Sequence, residues 1–169
     1  MLRIYLEKYP NDVKVLLRVA ELFMDLRKVS EIDETCTKIL NISSEDITVL
    51  RRVARIYKEC SRLSPSVKRK TYFLEKTIKV LRKCCNLQPD YHRNWLDLAE
   101  AYSRLYAITG ERSNLEEAIK CIEEVVKRHS SWTFLKELGE LYLQKGDKEK
   151  ALECFYKADE MRVKEYPSL

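Results

Sequence analysis

Glycine and proline are scarce in this chain, with only three glycines and four prolines among 169 residues. Tight turns favour these residues, so the composition argues against a β-sandwich or a β-barrel, folds that need many turns. No apolar run reaches the roughly 18 residues that a membrane-spanning helix needs, and the opening MLRIYLEKYP lacks the apolar core of a signal peptide. We therefore expect an intracellular protein, of the cytoplasm or the nucleus, with no segment inserted in a membrane.

Histidine is also scarce, and the residue patterns of catalytic sites are missing. His92 and His129 are the only histidines, and their spacing matches no metal-binding motif. The sequence has no glycine-rich phosphate loop and no GxSxG motif, and no histidine stands where it could activate a nucleophile. The six cysteines fall within helical patterns, where reduced thiols act as small apolar side chains, and the adjacent Cys84 and Cys85 are not a CxxC motif. We therefore predict no enzymatic activity, no metal site and no cofactor.

What the sequence does contain is helical periodicity, most clearly between Trp132 and Ala158. Small, aliphatic and aromatic residues there form one stripe over two adjoining helices: Leu135, Leu138, Gly139, Tyr142, Ala151, Phe155 and Ala158. Gly139 has no side chain, so another helix can approach it closely, while Gly146 and Asp147 are suited to ending the first helix and capping the second. This pattern resembles the tetratricopeptide repeat (TPR), a helix–turn–helix unit of about 34 residues.

Similar patterns precede this hairpin, and Ala20 and Ala54 in equivalent positions are 34 residues apart. We interpret residues 1–169 as a single repeat domain, or as a segment of a longer array. Its parts are a half-repeat at 1–12, repeat 1 at 13–46, lengthened repeats 2 and 3 at 47–91 and 92–131, and repeat 4 at 132–166. The resemblance implies an all-α fold, a right-handed α-solenoid of about four TPR-like hairpins with the leading half-repeat, or about nine helices.

The lengthened repeats and the helix starts lead to more local predictions. In repeat 2 we expect the additional residues to extend both helices instead of forming a long loop, with Ser64 and Pro65 opening the second helix. Ser30 and Ser113 are expected to begin helices as parts of capping boxes. Gly110 is expected to end the first helix of repeat 3.

Charge is distributed unevenly along the chain, whose formal net charge is +5. Residues 47–93 carry 13 basic and 3 acidic side chains, whereas residues 1–46 and 94–169 have net charges of −2 and −3. The basic residues form one helical face and one cluster at the start of the next helix: Arg51, Arg55, Lys58 and Arg62, then Lys68, Arg69 and Lys70. A helix start disfavours cations, so the cluster suggests an acidic partner.

In the TPR family the first helix of each repeat lines a concave groove, and the resemblance implies which residues lie there. The candidate partner-binding residues are Leu17, Met24, Arg51, Arg52, Arg55, Lys58, Arg93 and Leu96. A possible acidic-partner or nucleic-acid patch adds Arg62, Lys68, Arg69 and Lys70. We hypothesise a non-catalytic scaffold that binds another protein, as a peptide or helix of acidic character, with arginines pairing with carboxylates. The Lys and Asn positions of the chaperone-binding clamp are occupied by Leu17, Glu21 and Arg52, so binding of chaperone tails is not expected.

Two alternatives stay open. The basic second repeat could bind RNA through its phosphates, with Tyr57 or Tyr72 stacking on bases, although Tyr57 occupies a position of the packing stripe. The terminal helices could also mediate self-association, because Leu152, Phe155, Tyr156 and Met161 would leave apolar surface on the last helix.

Overall fold

The computed structural model of the protein describes residues 2–165, and these form nine α-helices and no β-strand. The helices are α1 (Leu2–Lys8), α2 (Val13–Asp25), α3 (Val29–Ile42), α4 (Ile47–Leu63), α5 (Val67–Leu87), α6 (His92–Thr109), α7 (Arg112–Arg128), α8 (Trp132–Lys145) and α9 (Lys148–Glu165). Met1 of the predicted half-repeat and residue 166 of predicted repeat 4 lie outside the described residues.

The helices form two compact units, Met1–Leu87 and Gln88–Leu169. In the first unit α2 packs against α3 and α4 against α5, α1 lies on α2, and α4 also contacts α2 and α3. In the second unit α6 pairs with α7 and α8 with α9, while α7 packs on α8. Each unit therefore consists of antiparallel helical hairpins that cover one another's apolar stripes, which is how helical repeats gain stability.

The apolar positions of the sequence stripes form the core of each unit. Leu50, Tyr57 and Leu74 are at most 1% exposed in the first unit, and Leu115 and Ile122 are at most 2% exposed in the second. All six cysteines are buried, and none is part of a disulfide bond. They therefore act as small apolar side chains within the hairpins.

The lengthened second hairpin is helical throughout its extra length. The helices α4 and α5 have 17 and 21 residues, compared with 13 and 14 residues in α2 and α3. Only three residues, 64 to 66, connect α4 to α5. The prediction that the additional residues extend both helices is confirmed.

Glycine ends two helices and permits one close helix contact, as the sequence predicts. Gly110 and Gly146 follow α6 and α8 with φ of 70° and 91°, in the left-handed region that other residues rarely adopt. A Cβ added to Gly139 would lie 2.7 Å from Cε1 of Phe155, so the missing side chain allows α8 and α9 to pack closely. Asp147 then accepts a hydrogen bond from the backbone N–H of Lys150 at 3.2 Å.

Three predicted helix starts are wrong. Ser64 belongs to the end of α4, where its Oγ donates a hydrogen bond to the Cys60 carbonyl at 2.7 Å, and Ser66 instead accepts from the Arg69 N–H at 3.3 Å before α5. Ser30 and Ser113 lie inside α3 and α7, each as the second helical residue. The connections before these helices are only three and two residues long, because the preceding helix turns directly into the next one. Helix formation therefore begins before the serine is reached.

Candidate protein-interaction surface

Glu21 of α2 is the centre of a cluster of arginines in the first unit. Its Oε1 lies 2.7 Å from Nη2 of Arg52 and 3.6 Å from Nη2 of Arg55, both on α4. Its Oε2 lies 3.4 Å from Nη1 of Arg18, one helical turn earlier on α2. The pKa of the Glu21 carboxyl lies below its usual range, mainly because Arg52 donates a hydrogen bond to it. The positive charge of Arg52 lowers this pKa further. We call Arg18, Glu21, Arg52 and Arg55 the α2–α4 arginine cluster.

The α2–α4 arginine cluster leaves most of its positive charge open to solvent. One carboxylate faces three guanidinium groups, so the four side chains together carry a net charge of +2. The side chains of Arg18 and Arg55 are each 72% exposed and that of Arg52 is 38% exposed, whereas Glu21 is only 18% exposed. The carboxylate is thus covered by the arginines, and the arginines are accessible from outside.

The remaining predicted basic residues of α4 are Arg51, Lys58 and Arg62. Arg51 and Lys58 are half-buried. Arg62 pairs within its own helix, because its Nη2 lies 2.5 Å from Oε1 of Glu59, and this hydrogen bond raises the pKa of the guanidinium. Arg62 is therefore partly neutralised, while Arg52 and Arg55 share one carboxylate with a third arginine.

The other residues predicted to bind a partner, Leu17, Met24, Arg93 and Leu96, differ in their positions and accessibility. Leu17 is only 2% exposed and belongs to the core, so it cannot supply the partner contact that the sequence predicts. Met24 is half-buried and lines a cavity of about 280 Å³ in the first unit. Arg93 and Leu96 belong to α6 of the second unit, where Arg93 is exposed and its Nε lies 3.3 Å from Oδ1 of Asp97.

The basic cluster at the start of α5 is mostly on the surface. Lys68 and Arg69 are exposed and Lys70 is half-buried. The first turn of α5 contains no acidic residue. Arg69 also lines the cavity beside Met24, together with Arg27 from the α2–α3 turn. Arg27 was not among the residues predicted from the sequence. Its position in the short turn between α2 and α3 is the sequence feature that could have indicated it.

The two tyrosines considered for base stacking are held within the first unit. Tyr57 is completely buried, its ring centroid lies 6.0 Å from that of Phe73, and burial raises the pKa of its hydroxyl. Tyr72 is partly exposed, but its hydroxyl donates to Oδ2 of Asp33 at 2.6 Å and Lys76 Nζ lies 5.2 Å from its ring centroid. Base stacking on Tyr57 would therefore require the core to open.

The fold brings the two histidines together, which their sequence spacing did not reveal. The ring centroids of His92 and His129 are 4.7 Å apart, and Nε2 of His129 lies 3.3 Å from the backbone oxygen of Asp90. Within residues 2–165 no group of three histidine, cysteine or acidic side chains is placed to hold a metal ion. The histidine pair therefore lacks a third ligand among these side chains in the described part of the chain.

Comparison with known proteins identifies the repeat. Residues 137–162, in α8 and α9, match the family model of the tetratricopeptide repeat. The chain has the TPR fold. A structure of MamA matches with a TM-score of 0.69 and 18% identity, covering 99% of this chain and 85% of that one. No curated protein sequence matches the chain.

Two further solved structures show the same likeness. TTC0263, a TPR protein of Thermus thermophilus, has a TM-score of 0.57 and 20% identity over 95% of this chain and 80% of its own. MamA from Desulfovibrio magneticus has a TM-score of 0.64 and 17% identity over 96% of this chain and 82% of its own. At these identities the likeness establishes the fold alone, and it confirms the predicted class of all-α TPR-like solenoids.

The TPR fold serves in general as a scaffold for binding other proteins, and TPR scaffolds are generally non-catalytic. None of the helices within residues 2–165 is long and apolar enough to cross a membrane. Because one fold can carry many functions, the partner chemistry must be inferred from the surface residues themselves.

Proposed function

We propose that this TPR protein is a non-catalytic scaffold that binds an acidic peptide or helix over the surface formed by α2 and α4. The observation that supports this proposal is the α2–α4 arginine cluster, in which three arginines converge on the single carboxylate of Glu21. Convergent guanidinium groups are well suited to carboxylates, since each can donate two parallel hydrogen bonds.

Glu21 is itself an internal example of the ligand that we propose. Its carboxylate is held by Arg52 at 2.7 Å, which is the geometry that an aspartate or glutamate of a partner would adopt with Arg18 or Arg55. Those two side chains are 72% exposed and can turn toward a partner without breaking core contacts. The net charge of +10 on residues 47–93 would also accelerate the approach of an acidic partner.

RNA is the alternative ligand for the same basic surface. Phosphates would pair with the arginines as carboxylates do, but sequence-tolerant RNA binding normally adds stacking on exposed aromatic rings. Tyr57 is buried and offers no ring surface for stacking, and the exposed Tyr72 already has Asp33 and Lys76 as neighbours. The absence of a stacking platform at Tyr57 favours the peptide.

Fluorescence anisotropy can test the proposal with two labelled probes, a peptide of alternating glutamate and serine and a single-stranded oligouridylate of similar length. We expect the peptide to bind, and the double variant Arg52→Gln/Arg55→Gln to weaken binding at least about tenfold, because each lost charged hydrogen bond contributes roughly 1.5–3 kcal/mol.

The matched control Lys120→Gln/Arg162→Gln also removes two exposed positive charges, but from the second unit. Equal peptide binding by the wild type and the Arg52/Arg55 variant would contradict the proposal. Binding of the RNA alone, with a steep loss between about 50 and 200 mM salt, would support the alternative.

A further inference from the structure

A cavity of about 280 Å³ opens in the first unit where the α2–α3 turn approaches the α4–α5 connection. Its lining is mostly uncharged, and the two exceptions are both arginines: Met24, Val29, Ile32, Cys60, Leu63 and Pro65, with Arg27 and Arg69. Ile32 and Cys60 are each 1% exposed, so the interior of the cavity is formed by core residues. The cavity thus combines an apolar interior with positive charge.

Within the described part of the chain, the two arginines of this cavity have no carboxylate partner. Neither guanidinium lies within ion-pair distance of an acidic side chain in residues 2–165, unlike Arg52 and Arg62. Both residues are exposed, and the first turn of α5, which carries Arg69, contains no acidic side chain. Two unpaired positive charges beside an apolar cavity are complementary to a carboxylate next to an apolar group.

The backbone conformation of Arg27 is a second, independent observation that supports a role for this residue at the cavity. Arg27 has a φ of 55° and is the only non-glycine residue with a positive φ among the described residues. It ends α2, with its N–H donating to the Met24 carbonyl at 3.0 Å and the Lys28 N–H donating to the Phe23 carbonyl at 2.9 Å. The corresponding turns after α6 and α8 use Gly110 and Gly146. Glycine would adopt this conformation at a lower cost, so we take the strained position of Arg27 as an indication that its side chain has a function there.

We propose that this cavity binds one large apolar side chain of an acidic partner, next to an aspartate or glutamate that pairs with Arg27 and Arg69. Burying a leucine-sized side chain against Met24 and Leu63, two half-buried apolar residues of the lining, removes apolar surface from water, and the adjacent carboxylate pairs with the two arginines. The occupant is an internal segment of another protein, with the pattern acidic–apolar–acidic. This inference rests on the proposed function, to which it adds a specific anchor outside the α2–α4 arginine cluster.

A labelled heptapeptide with the sequence Ser-Gly-Glu-Leu-Glu-Gly-Ser, amidated at its end, is a direct probe for the cavity. By fluorescence anisotropy we expect it to bind, and we expect alanine in place of leucine, or glutamine in place of both glutamates, to weaken binding at least about tenfold. The amidated end excludes recognition of a terminal carboxylate. No binding by the wild type, or equal binding of the leucine and alanine peptides, would overturn the inference.

Protein variants then locate the site. Arg27→Gly keeps the backbone conformation and removes one guanidinium, and Arg69→Gln removes the other from an exposed position, so neither change should prevent folding. We expect the pair of changes to weaken heptapeptide binding at least about tenfold. Unchanged binding by this double variant would overturn the proposed anchor.

The variant Arg52→Gln/Arg55→Gln separates the two proposals, because neither residue lines the cavity. We expect it to bind the heptapeptide as the wild type does, while it loses the longer glutamate–serine peptide. If it loses the heptapeptide and the Arg27/Arg69 variant does not, the anchor is overturned and the proposed α2–α4 surface stands. The Arg52/Arg55 variant could instead bind the longer peptide as the wild type does, while the Arg27/Arg69 variant loses the heptapeptide. That result would overturn the proposed α2–α4 surface and support the anchor site in the cavity.

Discussion

Replacing Arg27 by glycine should stabilise the protein, although arginine is the natural residue. Arg27 adopts a φ of 55°, and a left-handed conformation costs an ordinary residue about 1–2 kcal/mol that glycine does not incur. The gain is partly offset because glycine has more freedom in the unfolded chain, by roughly 0.5–1 kcal/mol. The Arg27 side chain is exposed and has no ion pair in the described residues, so little packing is lost. We therefore expect a net gain of about 0.5–1 kcal/mol.

Urea unfolding followed by circular dichroism measures this gain. A stabilisation of about 1 kcal/mol corresponds to an increase in melting temperature of roughly 2–4 °C for a chain of this size. Arg27→Ala is the matched control, because alanine also lacks the guanidinium but keeps the Cβ and its strain, so it should show no such gain. Gly110→Ala provides the reverse test: a Cβ there has no atom within 4 Å, so the expected loss of about 1 kcal/mol is conformational only.

The reasoning would be refuted if Arg27→Gly were no more stable than Arg27→Ala. That result would mean that the left-handed turn after α2 costs arginine nothing, and the backbone of Arg27 would no longer indicate a function for its side chain. A stabilised Arg27→Gly variant that also binds the heptapeptide more weakly would show a trade-off between stability and binding at one residue.

Three further predictions concern other parts of the chain. Gly139→Ala should destabilise the protein by about 1–3 kcal/mol in urea unfolding, because its Cβ would lie 2.7 Å from Phe155, and an unchanged midpoint would contradict the close contact. Glu21→Gln should raise affinity for the glutamate–serine peptide about two- to fivefold, since it removes the internal competitor, whereas weaker binding would count against the cluster. If the last helix self-associates through Leu152 and Tyr156, both 68% exposed, sedimentation velocity should show a concentration-dependent dimer that Leu152→Glu abolishes; a monomer at high concentration excludes it.

The lowered pKa of Glu21 adds a pH dependence to its role. A carboxyl whose pKa is lower in the folded state stabilises the protein at pH values above its ordinary pKa and loses that contribution as pH falls through the folded value. Acid should therefore weaken the contact between α2 and α4, and Glu21→Gln should flatten the acid limb of a plot of stability against pH. An identical acid limb in the variant would show that the cluster contributes nothing to stability.

The sequence was sufficient for the fold because the hairpin signals are local. Gly110 and Gly146 end helices by backbone conformation, and Gly139 permits close packing by lacking a Cβ, so the residue type alone indicates the role. The predicted helix starts at the serines were wrong because they too rested on a local pattern. Ser30 and Ser113 satisfy a local pattern, but the length of the preceding connection, and not the serine, determines where the helix begins.

The candidate site was only partly predictable. The excess of basic residues in 47–93 and the helical spacing of Arg51, Arg55 and Lys58 can be read directly from the sequence. The pairing of Arg52 with Glu21, 31 residues earlier, depends on how two hairpins face each other. The burial of Leu17 depends likewise on the helices packed around α2, so a residue assigned to the surface by its position in the repeat lies in the core.

The sequence by itself thus determined the helical hairpins, their lengthening in repeat 2 and the concentration of positive charge there, because periodicity, helix stops and composition are properties of neighbouring residues. Only the tertiary structure decided which arginines are neutralised and which remain open. Arg52 shares the carboxylate of Glu21, whereas Arg27 and Arg69 face an apolar cavity without an acidic partner in residues 2–165. The physical reason is that charge pairing and cavities depend on distances between residues far apart in the chain, which are set only when the hairpins pack together.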